Sequence, residues 1–296
     1  MSGHPTSAVD AWAALGATHV LAGWPVFVVD APALDDETAD PLLVLHGFPT
    51  SSYDFHLVLA ALREHRRVVM LDMLGYGLSA KPDMAYTVAL QADVVVALTD
   101  ALSLREVALL THDVGDTVGG ELLARALDGD WTVEVTRRVL TNGSIYIDLA
   151  QLSAGQRMLL DLPDTRLEPG GPIDGRAVAA GVAATFGRRS AVDPAELDAV
   201  AAFAEEDDGH LLLPRLIRYI EERRRDERRF TGAIERHPSP LAVVWGVDDP
   251  IAVAPMVDRL VEARQDAQVT RLDGVGHYPM VEAPDRFADG VNDALG

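Results

Sequence analysis

An aspartate stands where the chain is expected to change from a buried strand to a helix. The segment Thr111-His112-Asp113-Val114-Gly115 follows the apolar run 107–110 and opens a helical pattern over 114–127. This strand–turn–helix context is the one in which a nucleophile elbow presents its central side chain. A carboxylate in that place could attack carbon and form an ester. Taken alone, the same residues fit an acidic helix N-cap equally well.

Two later positions supply an acid and a base. Asp249 lies in the segment 246–250 and His277 follows a glycine-rich turn, and each comes after a predicted strand. Nucleophile, acid and base occur in this order along chains that carry such an elbow. An Asp-Pro pair is often only a turn, and a lone histidine in a loop is usually at the surface. The joint occurrence nevertheless favours a triad of Asp113, Asp249 and His277, with Asp248 outside it.

Two backbone N–H groups are expected to face the carboxyl group of Asp113. The segment His46-Gly47-Phe48-Pro49 follows the strand before the first main helix. A loop in this place supplies one donor of an oxyanion hole, and the residue after the nucleophile supplies the other. We assign these donors to Phe48 and Val114. The side chain of His46 is expected to have a structural role.

The placement of these residues requires a sheet whose strands end at one edge. Two short strands, 19–21 and 26–30, are expected to form a hairpin turned at 23–25. Six apolar runs are typical of strands buried on both faces, and they alternate with helical patterns: 42–45, 68–71, 107–110, 133–140, 241–245 and 269–272. Alternation of this kind predicts right-handed βαβ units. The predicted fold class is α/β, with a mostly parallel eight-stranded sheet flanked by helices.

Five helices are predicted around this sheet: 51–65, 88–102, 114–127, 256–263 and one from about 286 to the end. Gly119 and Gly120 lie inside the third of them. Each costs about 1 kcal/mol relative to alanine in a helix interior. Close packing of that helix on the sheet would explain both glycines.

The stretch 149–233 has no strand pattern. It holds helical pieces separated by proline and glycine, and we interpret it as a helical cap over the carboxyl edge of the sheet. The predicted domains are therefore a core of 1–148 and 234–296 and a cap of 149–233. Within the cap, the run 221–229 is nearly all charged. We interpret it as a solvated helix face with pairs such as Glu221–Arg225, in preference to a nuclear-localisation signal.

Charge excludes several kinds of partner. The 296-residue chain has a formal net charge of −21. A field of this sign repels phosphate backbones and anionic lipid headgroups, so neither a nucleic-acid nor a membrane partner is expected. No Lys or Arg precedes Arg63. This disfavours a secretory or transit peptide and makes the protein's expected location cytoplasmic.

Composition also limits the chemistry. The chain has no cysteine, which excludes a thiolate nucleophile, a disulfide and a cysteine metal site. No spacing of side chains indicates a metal site, and no motif indicates a nucleotide or another cofactor. We therefore expect a reaction without metal or cofactor. The sequence carries no signal for an oligomeric state.

The quoted segments resemble the epoxide hydrolase and haloalkane dehalogenase branch of the α/β-hydrolases. The matching stretches cover the whole core: 46–49, 72–79, 112–115, 246–250 and 276–277. Within that branch the chain most resembles proteins like the mesoderm-specific transcript protein, on the stretches 46–54, 112–123 and 216–223. That subgroup has no settled substrate. The resemblance implies the α/β-hydrolase fold and the chemistry of the branch.

The implied reaction has two steps. Asp113 would attack a saturated carbon and form an alkyl-enzyme ester. His277, oriented by Asp249, would then deprotonate a water that attacks the carbonyl of that ester. Against an ordinary ester an aspartate would form an anhydride, so an esterase is the less natural interpretation.

The leaving group decides between the two enzymes of the branch. Epoxide hydrolases resemble each other in cap tyrosines that protonate the opening oxygen, and Tyr219 matches one of them. Packing is the alternative role for Tyr219. The resemblance calls for a second donor, and Tyr146 or His210 could supply it.

Haloalkane dehalogenases resemble each other in side-chain N–H donors for the halide, from a tryptophan after the nucleophile and from an asparagine or second tryptophan. Val114 and Phe48 stand at those positions, and 149–233 contains no tryptophan. Val114 also departs from the tryptophan common in epoxide hydrolases. Hydrolysis of a small apolar epoxide by water is the leading hypothesis. The alternatives are a dehalogenase or another hydrolase with an aspartate nucleophile, a cofactor-free oxygenase, and a non-catalytic ligand-binding protein of this fold.

Overall fold

Eight apolar segments pair into one sheet. The computed structural model describes residues 7–35 and 39–296. The strands are β1 Ala17–Leu21, β2 Trp24–Ala31, β3 Leu42–Leu45, β4 Val68–Leu71, β5 Glu106–His112, β6 Glu134–Thr141, β7 Leu241–Gly246 and β8 Gln268–Leu272. Their order in the sheet is β1-β2-β4-β3-β5-β6-β7-β8. Only β2 runs antiparallel to its neighbours, β1 and β4, so the predicted mostly parallel sheet is confirmed.

The central strands are apolar because both faces of the sheet are covered. Every residue of β3 and β4 is buried. Leu43 and Leu45 belong to one apolar core, and Leu42 and Val44 belong to a second core on the opposite face. Strands buried on both sides read as continuous apolar runs, and this explains why the sequence located them well.

Helices lie on both faces of the sheet and between β6 and β7. They are α1 Ala8–Ala13, α2 Leu59–Leu62, α3 Val88–Ala101, α4 Val114–Asp128, α5 Ala154–Asp161, α6 Gly175–Ala183, α7 Pro194–Glu205, α8 Leu213–Leu216, α9 Tyr219–Arg236, α10 Pro255–Ala263, α11 Pro279–Glu282 and α12 Pro284–Leu295. Two 3₁₀ helices, Ser52–Phe55 and Glu206–Leu212, complete the helices of the described residues. None of the helices in the described ranges combines the length and the apolar character of a membrane-spanning segment.

The predicted helix over 51–65 is wrong. The segment folds as the 3₁₀ helix Ser52–Phe55 followed by the single turn α2. Ser51 accepts a hydrogen bond from the Tyr53 N–H, and the Ser52 N–H donates to Asp72 at 2.8 Å. These local bonds hold the backbone in a short turn against the loop after β4, in competition with a continuous helix.

The cap segment between β6 and β7 is helical throughout its described secondary structure. Its last helix, α9, is kinked at Asp226, where φ and ψ are −118° and 25°. The part after the kink packs against α4, where the backbone of Phe230 approaches Gly120. The predicted boundary after residue 233 lies inside α9, and the division into core and cap stays a prediction.

The charged run at the start of α9 is less exposed than expected. The predicted Glu221–Arg225 pair is wrong: Glu221 pairs with Arg218, and Arg225 pairs with Glu222 and Asp226. Arg223, inside the same run, is only 3% exposed. The run is therefore not simply a solvated face, because one of its guanidinium groups points into the protein.

Candidate active site

Asp113 lies at the junction of β5 and α4, as predicted. Its backbone has φ 50° and ψ −109°, a conformation that non-glycine residues rarely adopt. A side-chain carbon added at Gly115 would lie 2.5 Å from the carbonyl oxygen of Leu45. The turn can therefore approach β3 only with glycine at this position. A buried side chain in a strained turn of this kind is a feature of active sites.

One oxygen of the Asp113 carboxylate is held by a backbone donor. The Phe48 N–H donates to Asp113 Oδ2 at 3.0 Å. Val114 begins α4, so its own N–H has no acceptor within the helix. Both residues thus stand where the sequence placed the donors of an oxyanion hole.

His277 and Asp249 meet at the same edge of the sheet. Asp249 Oδ2 lies 2.7 Å from His277 Nδ1. The other carboxylate oxygen accepts from the backbone N–H groups of Ile251 and Ala252 at 2.7 and 3.0 Å, and Asn142 Nδ2 donates to Oδ2 at 2.8 Å. Asp249 is therefore fixed, and it leaves Nε2 of His277 as the nitrogen free for chemistry.

The environment of His277 favours its protonated form. Burial lowers the pKa of His277, but the carboxylates of Asp249 and Asp113 outweigh burial and raise the pKa to about 9. Neutralising Asp113 would remove one of these causes. A reaction that esterifies Asp113 would therefore lower the pKa of His277 and increase the fraction of its neutral form, which is the form that can accept a proton in the next step.

Two other histidines position the loops of the site. His46 Nε2 accepts from the Met73 N–H at 2.9 Å, which agrees with its predicted structural role. His112 Nε2 donates to the His277 carbonyl oxygen at 2.8 Å. Burial and the neighbouring His277 hold the pKa of His112 well below its usual value. The sequence analysis did not single out His112, although it stands next to Asp113.

Tyr219 reaches the site from the start of α9. Its ring lies 5.8 Å from that of Phe48, and its hydroxyl is buried. Within the described residues this hydroxyl makes no hydrogen bond of ordinary geometry. Burial and the charge of Asp113 raise the pKa of Tyr219 well above its usual value. The hydroxyl is thus a protonated donor close to Asp113 and not committed to another acceptor.

The two other predicted donors lie elsewhere. The Tyr146 hydroxyl donates to Glu235 at 2.8 Å, and the guanidinium of Arg259 lies over its ring. His210 belongs to the 3₁₀ helix Glu206–Leu212 and lines a different cavity, together with Lys81. The structure does not bring either residue into the group around Asp113.

Gln156 and Arg223 are polar neighbours of Tyr219 that the sequence analysis missed. Gln156 completes a capping box with Ser153 at the start of α5, and its interaction with the Tyr219 hydroxyl opposes the rise of the tyrosine pKa. The guanidinium of Arg223 lies 5.0 Å from the centre of the Tyr219 ring. Two sequence signals were available: the Ser153-x-x-Gln156 pattern and the four-residue spacing from Tyr219 to Arg223.

A cleft of about 670 Å³, including the solvent at its mouth, lies between the cap helices and His277. Leu159 and Val178 line its cap side, and Phe48 lines its core side. A mostly apolar cleft with a few polar groups at one end is typical of a small-molecule site. On the surface, Asp35, Glu64 and His65 bring three potential metal-ligand atoms within 4.8 Å of one another, but all three are exposed and none belongs to the site.

This geometry agrees with what comparison with known proteins finds. The profile of the alpha/beta hydrolase family matches residues 42–290. The chain belongs to this family. It is 39% identical over 272 residues to the putative hydrolase LipZ of Mycobacterium tuberculosis, covering 89% of this chain and 90% of that protein. It is 30% identical over 295 residues to the human mesoderm-specific transcript homolog protein, covering 95% and 85%.

Relatives named as haloalkane dehalogenases also match. The enzyme of Agrobacterium fabrum is 36% identical over 129 residues, which are 44% of this chain and 41% of that one. The crystal structure of the haloalkane dehalogenase DbeA from Bradyrhizobium elkanii superposes with a TM-score of 0.74 at 20% identity, covering 95% and 97%. At this identity the superposition shows the α/β-hydrolase fold. The protein is therefore an α/β hydrolase, as the resemblance implied.

Proposed function

We propose that this α/β hydrolase opens epoxides to vicinal diols through an ester on Asp113. The observation that carries the proposal is the meeting of three groups. The Asp113 carboxylate accepts a hydrogen bond from the Phe48 N–H, and the buried Tyr219 hydroxyl lies nearby without a fixed acceptor. His277 is paired with Asp249. A carboxylate, a proton donor and a base are the groups that this reaction needs.

The first step forms the ester and opens the ring. Asp113 Oδ1 attacks an epoxide carbon, and the bond from that carbon to the ring oxygen breaks. Tyr219 gives its proton to the departing oxygen. A raised pKa does not prevent this transfer, because an alkoxide is a stronger base than a tyrosinate. The Phe48 N–H remains hydrogen-bonded to Oδ2, which becomes the carbonyl oxygen of the ester.

The second step breaks the ester. With the charge of Asp113 gone, His277 takes a proton from water through Nε2, and the hydroxide attacks the ester carbonyl carbon. The Phe48 and Val114 N–H groups stabilise the oxyanion. When the bond to the product oxygen breaks, the proton on His277 goes to the departing alcohol. Asp113 leaves this step as a carboxylic acid and releases its proton, and the Tyr219 hydroxyl takes one back, so the sum is epoxide plus water giving diol.

Dehalogenation is the second candidate, and the relatives that are named as haloalkane dehalogenases favour it. The site argues against it because a halide needs N–H donors and no proton. Phe48 and Val114 contribute no side-chain N–H at the two positions. The side-chain amide of Gln156 is the group of the cleft that could serve such an anion.

A turnover screen and a labelling experiment test the proposal together. Styrene-type and terpene epoxides are compared with chlorinated and brominated alkanes, and Asp113→Ala is the inactive control. In ¹⁸O-water, a single turnover should place label in a peptide that contains Asp113. Label found only in the diol would show direct attack of water on the epoxide and would overturn the ester mechanism. Halide release without diol formation from epoxides would assign the site to the second candidate.

A further inference from the structure

The cap covers a second cavity next to the cleft, and its wall is cationic. This cavity has a volume of about 340 Å³, including the solvent at its mouth, and is lined by Arg223, Arg224, Ser144 and Gln156 together with apolar side chains. Gln156 also lines the cleft that holds His277. The two cavities are therefore neighbours, and a ligand that passes Gln156 could occupy both.

Arg223 is a buried cation without an anionic partner among the described residues. Its Nε donates to Thr117 Oγ1 at 2.8 Å, and its Nη2 lies 3.4 Å from the carbonyl oxygen of Asp113. Burying a charge is costly unless it is paired. The acid beside it, Asp116, does not supply full compensation, because burial raises its pKa well above the usual range. The guanidinium thus retains capacity for an anion.

Two more polar groups of the cavity wall are uncommitted. The Ser144 hydroxyl is buried and has no hydrogen-bond partner in the described part of the chain. Arg224 is exposed and takes part in none of the ion pairs formed by the described residues. A hydroxyl and two guanidinium groups form a donor set suited to a carboxylate, which guanidinium binds in a planar, bidentate way.

We propose that this cavity, here called the arginine cavity, binds the carboxylate end of the substrate while the apolar part lies in the cleft beside His277. The inference rests on the proposed function, and it makes the substrate an epoxide of an aliphatic acid. The formal charge of −21 repels such an anion from most of the surface. A local pair of arginines at the end of the cleft would therefore both offset that repulsion and fix the direction of binding.

The test compares two substrates that have the same chain and epoxide and differ at the carboxyl end, which is charged in one and neutral in the other. Initial rates are measured for 10,11-epoxyundecanoate and for its methyl ester, and the ratio of their kcat/KM values is the readout. Because Arg223 also contacts the backbone of Asp113, its loss will slow both substrates, but such a general effect cancels in the ratio. The variants are Arg223→Gln, Arg224→Gln and Ser144→Ala. The control is Arg228→Gln, an exposed arginine of the same helix outside the cavity wall.

Wild type should favour the acid by about 10- to 100-fold, the usual worth of charge-assisted hydrogen bonds. Arg223→Gln should bring the ratio near one, Arg224→Gln and Ser144→Ala should lower it several-fold, and Arg228→Gln should leave it unchanged. A wild-type ratio of one or less would overturn the inference. A ratio that stays at the wild-type value in both Arg223→Gln and Arg224→Gln would overturn it as well.

A binding measurement separates this inference from the proposed function. Calorimetry with decanoate and decanol needs no turnover. Tighter binding of decanoate that is lost in Arg224→Gln and kept in Arg228→Gln supports the arginine cavity even if no epoxide is hydrolysed. Equal binding of decanoate and decanol, or displacement by millimolar bromide at constant ionic strength with no preference for decanoate, would contradict it. The bromide result would assign the cavity to a released halide.

Discussion

At the scale of single residues, Asp249 has two effects on His277. It fixes the orientation of the ring through Nδ1, and its charge is the largest of the causes that raise the histidine pKa. Asp248 precedes it in the chain, but only its backbone is fixed, by a hydrogen bond from its N–H to the Val275 carbonyl oxygen. The two neighbouring aspartates therefore form a matched pair for mutation.

We expect Asp249→Asn to slow hydrolysis of the ester by roughly 10⁴-fold, the effect of the same change in a serine triad. The asparagine side chain can keep the backbone hydrogen bonds but cannot stabilise a protonated His277. Asp248→Asn should change the rate less than about threefold, since an exposed charge has weak effects. Single-turnover kinetics with Asp113 already esterified would measure this step. Equal losses in the two variants would show that the acid is wrongly assigned.

In the proposed reaction, Tyr219 acts in the formation of the ester. Its hydroxyl is near Asp113 and has no fixed acceptor, whereas the hydroxyl of Tyr146 is committed to Glu235. General acid catalysis contributes about 10²–10⁴ in rate. Tyr219→Phe should slow ester formation from an epoxide by a factor in that range and leave ester hydrolysis nearly unchanged.

Pre-steady-state mixing resolves the two steps, and Tyr146→Phe is the control because it removes the same atom outside the site. If Tyr219→Phe forms the ester as fast as wild type, Tyr219 only packs against Phe48. If Tyr146→Phe is the slower variant, the donor has been assigned to the wrong tyrosine.

The sequence could place the three residues of the predicted triad because each of them follows a strand. Parallel strands end at one edge of the sheet, so Asp113, Asp249 and His277 could be expected to meet there. The environment of Tyr219 could not be derived in the same way. Arg223 lies one turn after Tyr219 on α9, a spacing that the sequence does contain. Gln156 comes from α5, and no periodic pattern specifies how two helices of a cap face each other.

At the scale of elements, the strands were located to within a few residues, since buried runs have few other conformations. The short helices were not located with this accuracy. The conformation of 51–65 is set by its hydrogen bonds to Asp72 and by side-chain bonds to the neighbouring backbone. Such bonds depend on tertiary contacts, which helix propensity does not take into account. The glycines of α4 show the same limit. Gly119 faces Thr111 of the sheet, as expected, but Gly120 faces the backbone of α9.

Gly120 should therefore be needed for the packing of α9 on α4. A side-chain carbon at this position would lie 2.8 Å from the Phe230 carbonyl oxygen, whereas a carbon at Gly181 in α6 would meet nothing within 4 Å. We expect Gly120→Ala to lower the free energy of unfolding by about 1–3 kcal/mol. Gly181→Ala should raise it by about 0.5–1 kcal/mol, because alanine favours the helix. Urea unfolding of both variants measures the difference, and a stabilised Gly120→Ala would refute the close approach.

At the scale of the whole molecule, buried titratable groups make stability depend on pH. Burial, with a contribution from Asp72, raises the pKa of Asp54 to about 8 in spite of a hydrogen bond from Thr50. The pKa of an aspartate in an unfolded chain is about 3.9. Between these two values the folded state keeps a proton that the unfolded state has released. The contribution of Asp54 to stability is therefore fully present below about pH 4 and decreases as the pH rises toward 8.

The raised pKa of His277 also makes stability decrease as the pH rises, but at higher pH values than that of Asp54. Its pKa in the folded state is about 9, above the unfolded value of about 6.5, so its contribution is present below pH 6.5 and is lost as the pH rises through 9. The growing repulsion among the acidic groups of a chain with a formal charge of −21 adds to the decrease. The slope of stability against pH thus has several sources, and a variant is needed to isolate one of them.

Asp54→Asn isolates the buried acid. An asparagine has no proton to lose, so the free energy of unfolding should fall less steeply between pH 5 and 8 than it does in wild type. Asp198→Asn, which removes an exposed carboxylate from α7, should leave the slope unchanged, and it removes the same kind of ionisable group from the unfolded chain. Urea unfolding at four pH values gives the slopes. Since both variants remove one aspartate from the unfolded chain, a difference between their slopes must come from the environment of Asp54 in the folded protein, and identical slopes would mean that Asp54 is ionised there.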